Sequence, residues 1–259
     1  MSTIRVDVQD RIATITLNRP ASLNAITRDD YDAFAVALRD IDQRQDVLVT
    51  VWQGRWFCAG TDVKVGGGTP ASLRDTFLSR VSPVNTDVGR ALYTHSKILV
   101  AAVQGPVMAF LGHFDFIYCT PQMWLSVPFA FLGLVTEGGS SASFINRMGV
   151  AQANEVLLWG KKKTAEELLA SGFVNKIFQE QDVASFHAAV RAHLASELAG
   201  LDPTALLTIK QLLRRALEDK NDPDAVNLRE SYGQAARLAS GVPSVRFAQV
   251  AKKEIRHKL

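Results

Sequence analysis

The chain has 259 residues, of which 47% are hydrophobic and 21% charged, and its formal net charge is +3. This composition is ordinary for a globular protein and excludes a disordered chain, a coiled coil and a collagen-like repeat. The charge excess is too small to indicate nucleic-acid binding by itself. Cys58 and Cys119 are the only cysteines, which argues against a disulfide framework and for a reducing compartment.

Apolar residues alternate along the first two strands, and continuous apolar runs predict buried strands further on. The predicted strands are residues 4–8, 13–17, 47–52, 98–103, 116–118 and 124–127. Thr27 is expected to cap a helix whose apolar residues follow a 3.6-residue period up to Ile41. Strands interleaved with helices predict an α/β layered fold.

The last third of the chain is predicted to be helical. Thr164 and Glu167 fit a capping box, and Gly172 stands where a C-terminal cap belongs. Proline-containing breaks at 202–203, 222–223 and 241–243 each precede a new helix. The helices predicted from these breaks are residues 203–219, 223–240 and 243–256.

Neither a secretory signal nor a membrane span is expected. Residues 1–20 carry mixed charges and lack an apolar core. The longest apolar stretch, 98–118, is interrupted by Gln104, His113 and Asp115, whereas a span needs about 20 mostly apolar residues. We therefore expect a soluble protein.

Residues 98–146 contain two formal charges, Asp115 and Glu137, and no lysine or arginine. Burying a carboxylate among apolar residues costs free energy unless the carboxylate is paired or takes part in the function of the protein. Asp115 is interpreted as a strand-end carboxylate bonded to backbone amides. Glu137 has two interpretations of equal weight: a first-turn carboxylate favoured by the helix dipole, or a general base whose pKa is raised by burial.

Small residues in the segment FCAGTD, residues 57–62, follow the third strand and would let a ligand approach the backbone N–H groups; a tight turn is the alternative. Cys58 is interpreted as a small buried residue. His95 and His113 are expected to be packed side chains, and no metal-binding or phosphate-binding motif occurs. The loop at 66–70 does not fit a dinucleotide site.

Five segments in order resemble the enoyl-CoA hydratase/isomerase (crotonase) superfamily, and within it the fungal peroxisomal Δ3,Δ2-enoyl-CoA isomerases. They are residues 17–25, FCAGTD at 57–62, VQGP at 103–106, residues 115–118 and FLGLVTEGGSS at 131–141. The resemblance implies an α/β spiral of β-β-α turns over residues 1–200. It also implies a C-terminal helical region, 201–259, that forms a homotrimer or a dimer of trimers.

The resemblance further implies an acyl-CoA thioester as substrate, no additional cofactor, no metal, and a part in fatty-acid β-oxidation. Two backbone N–H groups would form an oxyanion hole, the first at Thr61 and the second at Ala109 or Phe110. Other residues would line the CoA site: Ala59, Gly60, Asp62 and Val63, with Arg19, Asn24 and Ala25 at the nucleotide end.

Glu137 stands where the fungal isomerases carry a single base that moves a proton from carbon 2 to carbon 4. Hydratases of the family use two glutamates, and Phe129 occupies one of those positions. The sequence therefore favours a Δ3,Δ2-enoyl-CoA isomerase. A crotonase of specialised metabolism and a catalytically impaired acyl-CoA-binding trimer remain as alternatives.

The sequence departs from the family between Gly105 and Asp115, where it is short by about one helical turn. Either the turn is deleted, which would re-aim the second oxyanion donor, or residues are missing from the sequence. At the C-terminus, His257-Lys258-Leu259 resembles a peroxisomal address of the SKL type. We expect a peroxisomal import receptor as a partner, and a cytoplasmic location if the signal is not used.

Overall fold

The computed structural model describes residues 3–22, 24–54, 72–107 and 109–257. Several predicted features lie outside these ranges: Cys58, the site residues Ala59, Gly60, Thr61, Asp62 and Val63, the loop at 66–70, and the last two residues, Lys258 and Leu259.

The strands of the described chain form two sheets. They are β1 (Ile4–Gln9), β2 (Ile12–Leu17), β3 (Val49–Gly54), β4 (Ile98–Val103), β5 (Pro106–Val107), β6 (Phe116–Cys119), β7 (Trp124–Leu125), β8 (Lys163–Thr164) and β9 (Lys176–Ile177). The larger sheet has the order β1-β2-β3-β4-β6-β9 and the smaller one β5-β7-β8. In the larger sheet β1 and β2 are antiparallel, and every later neighbour pairs in parallel.

The helices surround this sheet and make up the C-terminal third. They are α1 (Arg28–Asp42), α2 (Leu73–Thr76), a π-helix (Phe77–Thr86), α3 (Asp87–Tyr93), a 3-10 helix (Ala109–His113), α4 (Phe129–Leu132), α5 (Ser140–Trp159), α6 (Ala165–Ala170), α7 (Val183–Leu198), α8 (Pro203–Lys220), α9 (Pro223–Ala239) and α10 (Val242–Ala251), with a short 3-10 turn at Pro20–Ser22. Within the described ranges, no helix has the length and apolar character needed to cross a membrane.

The alternation of side chains along β4 divides the core into two layers. Leu99, Ala101 and Val103 belong to the cluster that includes α1. Their neighbours Ile98, Val100 and Ala102 pack in a second cluster with Phe186 and Val190 of α7. Both faces of β4 are therefore covered by helices, which explains why its sequence is apolar without interruption.

The predicted α/β fold class is confirmed, and so are the predicted helix cap at Thr27 and the predicted capping box of Thr164 and Glu167. Thr27 accepts a hydrogen bond from the backbone of Asp30, and Thr164 accepts one from Glu167. One predicted helix end is wrong: α10 ends at Ala251 and not at residue 256. Lys253 has a positive φ of 62°, a conformation that a right-handed helix excludes.

The short interval before Asp115 is closed by the 3-10 helix. The backbone N–H of Phe114 donates to Leu111 (3.2 Å), and that of Asp115 donates to Leu99 of β4 (2.9 Å). The described residues of the interval form a single tight helix; the deletion of one turn stays a prediction.

Candidate active site

Glu137 lies at a sharp turn between α4 and α5. Gly138 and Gly139 both have positive φ, 65° and 71°, and α5 begins only at Ser140. The backbone N–H and hydroxyl of Ser140 donate to the Glu137 carbonyl at 3.2 and 2.7 Å. The interpretation of Glu137 as a first-turn carboxylate is therefore wrong, because the residue precedes the helix and its side chain is directed elsewhere.

The half-buried Glu137 carboxylate is held by amides from two distant elements. Asn85, at the end of the π-helix, donates from Nδ2 to Oε2 at 2.6 Å. Gln234, on α9, donates from Nε2 to the same oxygen at 2.6 Å. Both amides are themselves buried. Since no described donor bonds Oε1 of Glu137, this oxygen remains able to exchange a proton.

Burial raises the pKa of Glu137 above its ordinary value, and the nearby charge of Glu230 raises it further. The hydrogen bonds from Asn85 and Gln234 act in the opposite direction, because they stabilise the ionised form. This combination suits a general base, which must be ionised to accept a proton and must hold that proton well enough to return it.

Glu230 is a second buried carboxylate at this site, and it lies one helical turn before Gln234 on α9. Its two oxygens accept hydrogen bonds from the backbone N–H groups of Gly139 (2.7 Å) and Ser141 (2.8 Å). Burial raises the pKa of Glu230, and these amides oppose the shift. Glu230 thus caps α5 from another element and fixes the turn that carries Glu137.

The predicted oxyanion donors Ala109 and Phe110 are buried and are the first two residues of the 3-10 helix. Their N–H groups precede the helical hydrogen-bond ladder, and no described carbonyl or side chain accepts from them. A Cβ placed on Gly138 would lie 3.0 Å from the Phe110 backbone nitrogen. The structure therefore brings the Phe110 amide beside the Glu137 turn, while the other predicted donor, Thr61, lies outside the described residues.

The three residues predicted at the nucleotide end of CoA form one turn. Asn24 is buried with a positive φ of 57°; its Oδ1 accepts from the Arg19 backbone N–H at 2.7 Å, and its Nδ2 donates to Leu17 at 3.1 Å. The Arg19 guanidinium donates to the Ala25 carbonyl. Asn24 therefore holds the turn together, and the contact of these residues with CoA stays a prediction.

His95, His113 and Asp115 have contacts that give each of them a structural role, as the sequence indicated. His95 follows α3 and is buried against Thr50 (2.8 Å), and burial lowers its pKa to about 3. Burial also lowers the pKa of His113 to about 4. Asp115 accepts from the Leu99 backbone (2.7 Å) and, in addition, pairs with Lys210 (2.7 Å).

The described residues contain neither a cluster of potential metal ligands nor an activated thiol. No group of three or more potential metal ligands occurs among them, and burial raises the pKa of the Cys119 thiol to about 12. Two of the cavities on the described surface measure about 530 Å³, beside α10, and about 650 Å³, beside α8. Glu137 lines neither of them.

Comparison with known proteins identifies the family. The family model described as enoyl-CoA hydratase/isomerase matches residues 7–236, and the chain belongs to this family. A relative from Pyricularia oryzae, named Delta(3,5)-Delta(2,4)-dienoyl-CoA isomerase, is 36% identical over 98% of both chains. Another, 3,2-trans-enoyl-CoA isomerase from Saccharomyces cerevisiae, is 30% identical over 95% of this chain and 92% of the relative.

A solved structure agrees with this assignment. The enoyl-CoA hydratase/isomerase from Pseudoalteromonas atlantica superposes with a TM-score of 0.82 at 25% identity, over 100% of both chains. The predicted crotonase fold with a C-terminal helical region is confirmed. Asn85, Gln234 and Glu230 were missed by sequence reasoning, because they lie 52 to 97 residues from the turn that they contact.

Proposed function

We propose that the chain is a Δ3,Δ2-enoyl-CoA isomerase in which Glu137 carries the proton. The ionised carboxylate removes a proton from carbon 2 of a 3-enoyl thioester. The electron pair moves through the carbonyl, which leaves a conjugated dienolate with negative charge on the thioester oxygen. The protonated Glu137 returns the same proton to carbon 4, so the double bond ends between carbons 2 and 3 with no other reactant consumed.

The observation that carries this proposal is the half-buried Glu137 carboxylate, which accepts two amide hydrogen bonds on one oxygen and none from a described donor on the other. Hydration of a double bond would require a second group to position and deliver water. Phe129, where hydratases of the family carry a glutamate, is a buried apolar side chain. Glu230 does not replace that glutamate, because both its oxygens are occupied by the amides of Gly139 and Ser141.

The charge that develops on the thioester oxygen needs backbone donors. Phe110 supplies one N–H beside the Glu137 turn, and we propose Thr61 as the other, with Ala59, Gly60, Asp62 and Val63 along the CoA. A preorganised donor of this kind typically contributes about 2.7–4 kcal/mol to transition-state stability. The reaction needs no cofactor beyond the CoA thioester itself.

Replacing the base tests the proposal directly. Glu137→Gln should lower kcat for 3-enoyl-CoA by about 10²–10⁴-fold, the usual contribution of a positioned base, while binding of a CoA thioester is retained. The matched control is Glu180→Gln, which makes the same change at an exposed position and should leave kcat unchanged. Normal turnover in Glu137→Gln would reject Glu137 as the proton carrier.

A Δ3,5-Δ2,4-dienoyl-CoA isomerase is the second candidate, favoured by the 36% identical relative of that name. Parallel assays of 3-enoyl-CoA isomerisation, 3,5-dienoyl-CoA isomerisation, 2-enoyl-CoA hydration and acyl-CoA binding separate the candidates. A hydratase-like crotonase would favour the third assay, and an impaired binder would give only the fourth.

The chain is proposed to assemble as a homotrimer and to enter peroxisomes through its C-terminal tripeptide. His257, the first residue of that tripeptide, packs against Phe131 with ring centroids 5.0 Å apart. A fluorescent protein carrying the last ten residues should accumulate in peroxisomes, and a diffuse cytosolic signal would refute the targeting proposal.

A further inference from the structure

The 3-10 helix that carries the Phe110 amide packs closely on the turn that carries Glu137. A Cβ on Gly138 would lie 2.9 Å from Cδ1 of Phe110 and 3.0 Å from its backbone nitrogen. A Cβ on Gly112 would lie 2.1 Å from Oγ of Ser143 in α5. Because a side chain at either glycine would collide with these atoms, the two segments can approach this closely only where glycines stand.

His113, the last residue of the 3-10 helix, contacts both glycines that follow Glu137. A Cβ on Gly139 would lie 2.5 Å from Cε1 and 2.6 Å from Nε2 of His113, so the edge of the ring occupies the space of a side chain at this position. The ring also donates a hydrogen bond to the backbone carbonyl of Gly138. His113 therefore connects the helix of the oxyanion donor to the turn of the base.

Other elements fix both sides of this contact. Tyr93 of α3 packs against the His113 ring with centroids 6.0 Å apart, and the Tyr93 hydroxyl donates to Asp224 at the start of α9. The backbone N–H of Gly139 donates to Glu230 of α9 at 2.7 Å. Gly139 is thus held by α9 through its N–H and by His113 where its side chain would be.

The His113 ring is neutral near neutral pH. Burial lowers its pKa to about 4, and the charge of Arg214 acts in the same direction. A neutral imidazole adds no charge beside Glu137. Any effect of His113 on the reaction must therefore come from its packing and its hydrogen bond, which fix the geometry of the turn.

We propose that His113 is a positioning residue of the isomerase reaction, which fixes the Phe110 amide relative to the Glu137 carboxylate. This inference rests on the proposed function, in which the amide binds the thioester oxygen and the carboxylate carries the proton. Both groups must fit one substrate at the same time, and a displacement of about 1 Å can lower the rate about 100-fold. The ring of His113 prevents the helix and the turn from shifting against each other.

Kinetics of His113 variants of the full chain test this role. His113→Ala should lower kcat for 3-enoyl-CoA by about 10–100-fold with little change in KM, because it disturbs the alignment of the reacting groups and not the contacts with CoA. His113→Gln keeps an N–H donor and should retain more of kcat. The matched control is His95→Ala, which removes another buried ring, packed against Thr50; it should lower the melting temperature and leave kcat unchanged.

The ultraviolet absorbance of bound acetoacetyl-CoA gives a second readout, because an aligned oxyanion donor favours its enolate. His113→Ala should lower the enolate fraction at fixed pH, and His95→Ala should not. If the unmodified protein does not convert 3-enoyl-CoA, the proposed function fails, and the enolate fraction still judges His113. If His113→Ala does not fold in a thermal melt, His113→Gln replaces it, with a smaller loss expected. Unchanged kcat and enolate fraction, an equal loss in His95→Ala, or no enolate on the unmodified protein would overturn the inference.

Discussion

Both amides at Glu137 donate to a single carboxylate oxygen, so the two oxygens of this carboxylate have different surroundings. Oε2 is fixed by Asn85 and Gln234, each at 2.6 Å, which orients the plane of the carboxylate. In the proposed reaction, Oε1 is the oxygen that exchanges the proton. The proposed base takes a proton from one carbon and returns it to a carbon two positions away. A carboxylate of fixed orientation suits this transfer, because both carbons of the substrate would lie within reach of the same oxygen.

Gln234→Leu should move the pH dependence of catalysis. The Gln234 amide lowers the pKa of Glu137, so its loss raises that pKa further, because the ionised carboxylate loses a hydrogen bond. Glu137 accepts a proton only when ionised. The acid limb of the kcat/KM profile should therefore move to higher pH, with activity partly recovered in alkaline buffer.

The control for this variant is Gln211→Leu, which makes the same change at an exposed position of α8 and should leave the profile in place. An unshifted acid limb in Gln234→Leu would mean that the group titrating in catalysis is not Glu137.

Glu137 could be singled out from sequence because it is one of two charges in residues 98–146. Its partners could not, since an asparagine and a glutamine are ordinary residues on helix surfaces, and only the folded chain brings them to the carboxylate. The same limit applies to Asn24. The sequence predicts that it belongs to the site, but not that its side chain is buried in its own turn.

At the scale of elements, α9 connects the C-terminal region to the candidate site. Glu230 and Gln234 are four residues apart, so they share one face of the helix, and Asn227 on the same side donates to the Thr86 carbonyl at 2.9 Å. One helix thus holds the Glu137 carboxylate, the start of α5 and the end of the π-helix.

Glu230→Leu should destabilise the protein by about 1–3 kcal/mol, because it leaves the Gly139 and Ser141 amides buried without an acceptor. Chemical denaturation measures the difference in unfolding free energy. Glu197→Leu is the control, since the Glu197 side chain is 65% exposed at the surface and its loss should change stability by less than about 0.5 kcal/mol. Equal stability of both variants would show that α5 does not depend on the Glu230 cap.

The sequence predicted the start of those helices whose cap is a residue next to the helix in the chain. The helices α1 and α6 begin with a Thr and an acidic residue three positions later, and both capping boxes form. Helix α5 has Gly139 at its N-cap and no side-chain cap of its own. Its cap, Glu230, comes from 89 to 91 residues away, so no pattern within the segment could reveal it.

For the whole molecule, the interleaving of strands and helices was sufficient to predict an α/β fold. It did not predict the order of the strands within the sheet. The pairing of β4 with β6, and of β6 with β9, skips elements that lie between them in sequence. These pairings depend on contacts between distant residues. The expected division at residue 200 falls between α7 and α8, yet α9 packs against the core, so the two regions are joined at the candidate site.

The second half of α5 is the surface that should reveal the assembly state. Val150, Leu158 and Trp159 are 60%, 58% and 71% exposed, and all three lie between the bend at Gly149 and the C-terminal end of the helix. Leu212 of α8 is also 66% exposed. Monomeric proteins rarely leave large apolar patches uncovered, so a second copy of the chain is the expected cover.

Light scattering after size exclusion should give three times the chain mass of 28.3 kDa, or six times for a dimer of trimers. Trp159→Glu places a charge on the proposed contact and should lower the mass towards that of one chain. Val36→Glu makes a comparable change at a 46% exposed position of α1 and should leave the assembly intact. A single-chain mass for the unmodified protein at micromolar concentration would reject the trimer, and these apolar side chains would then be free to contact a different partner.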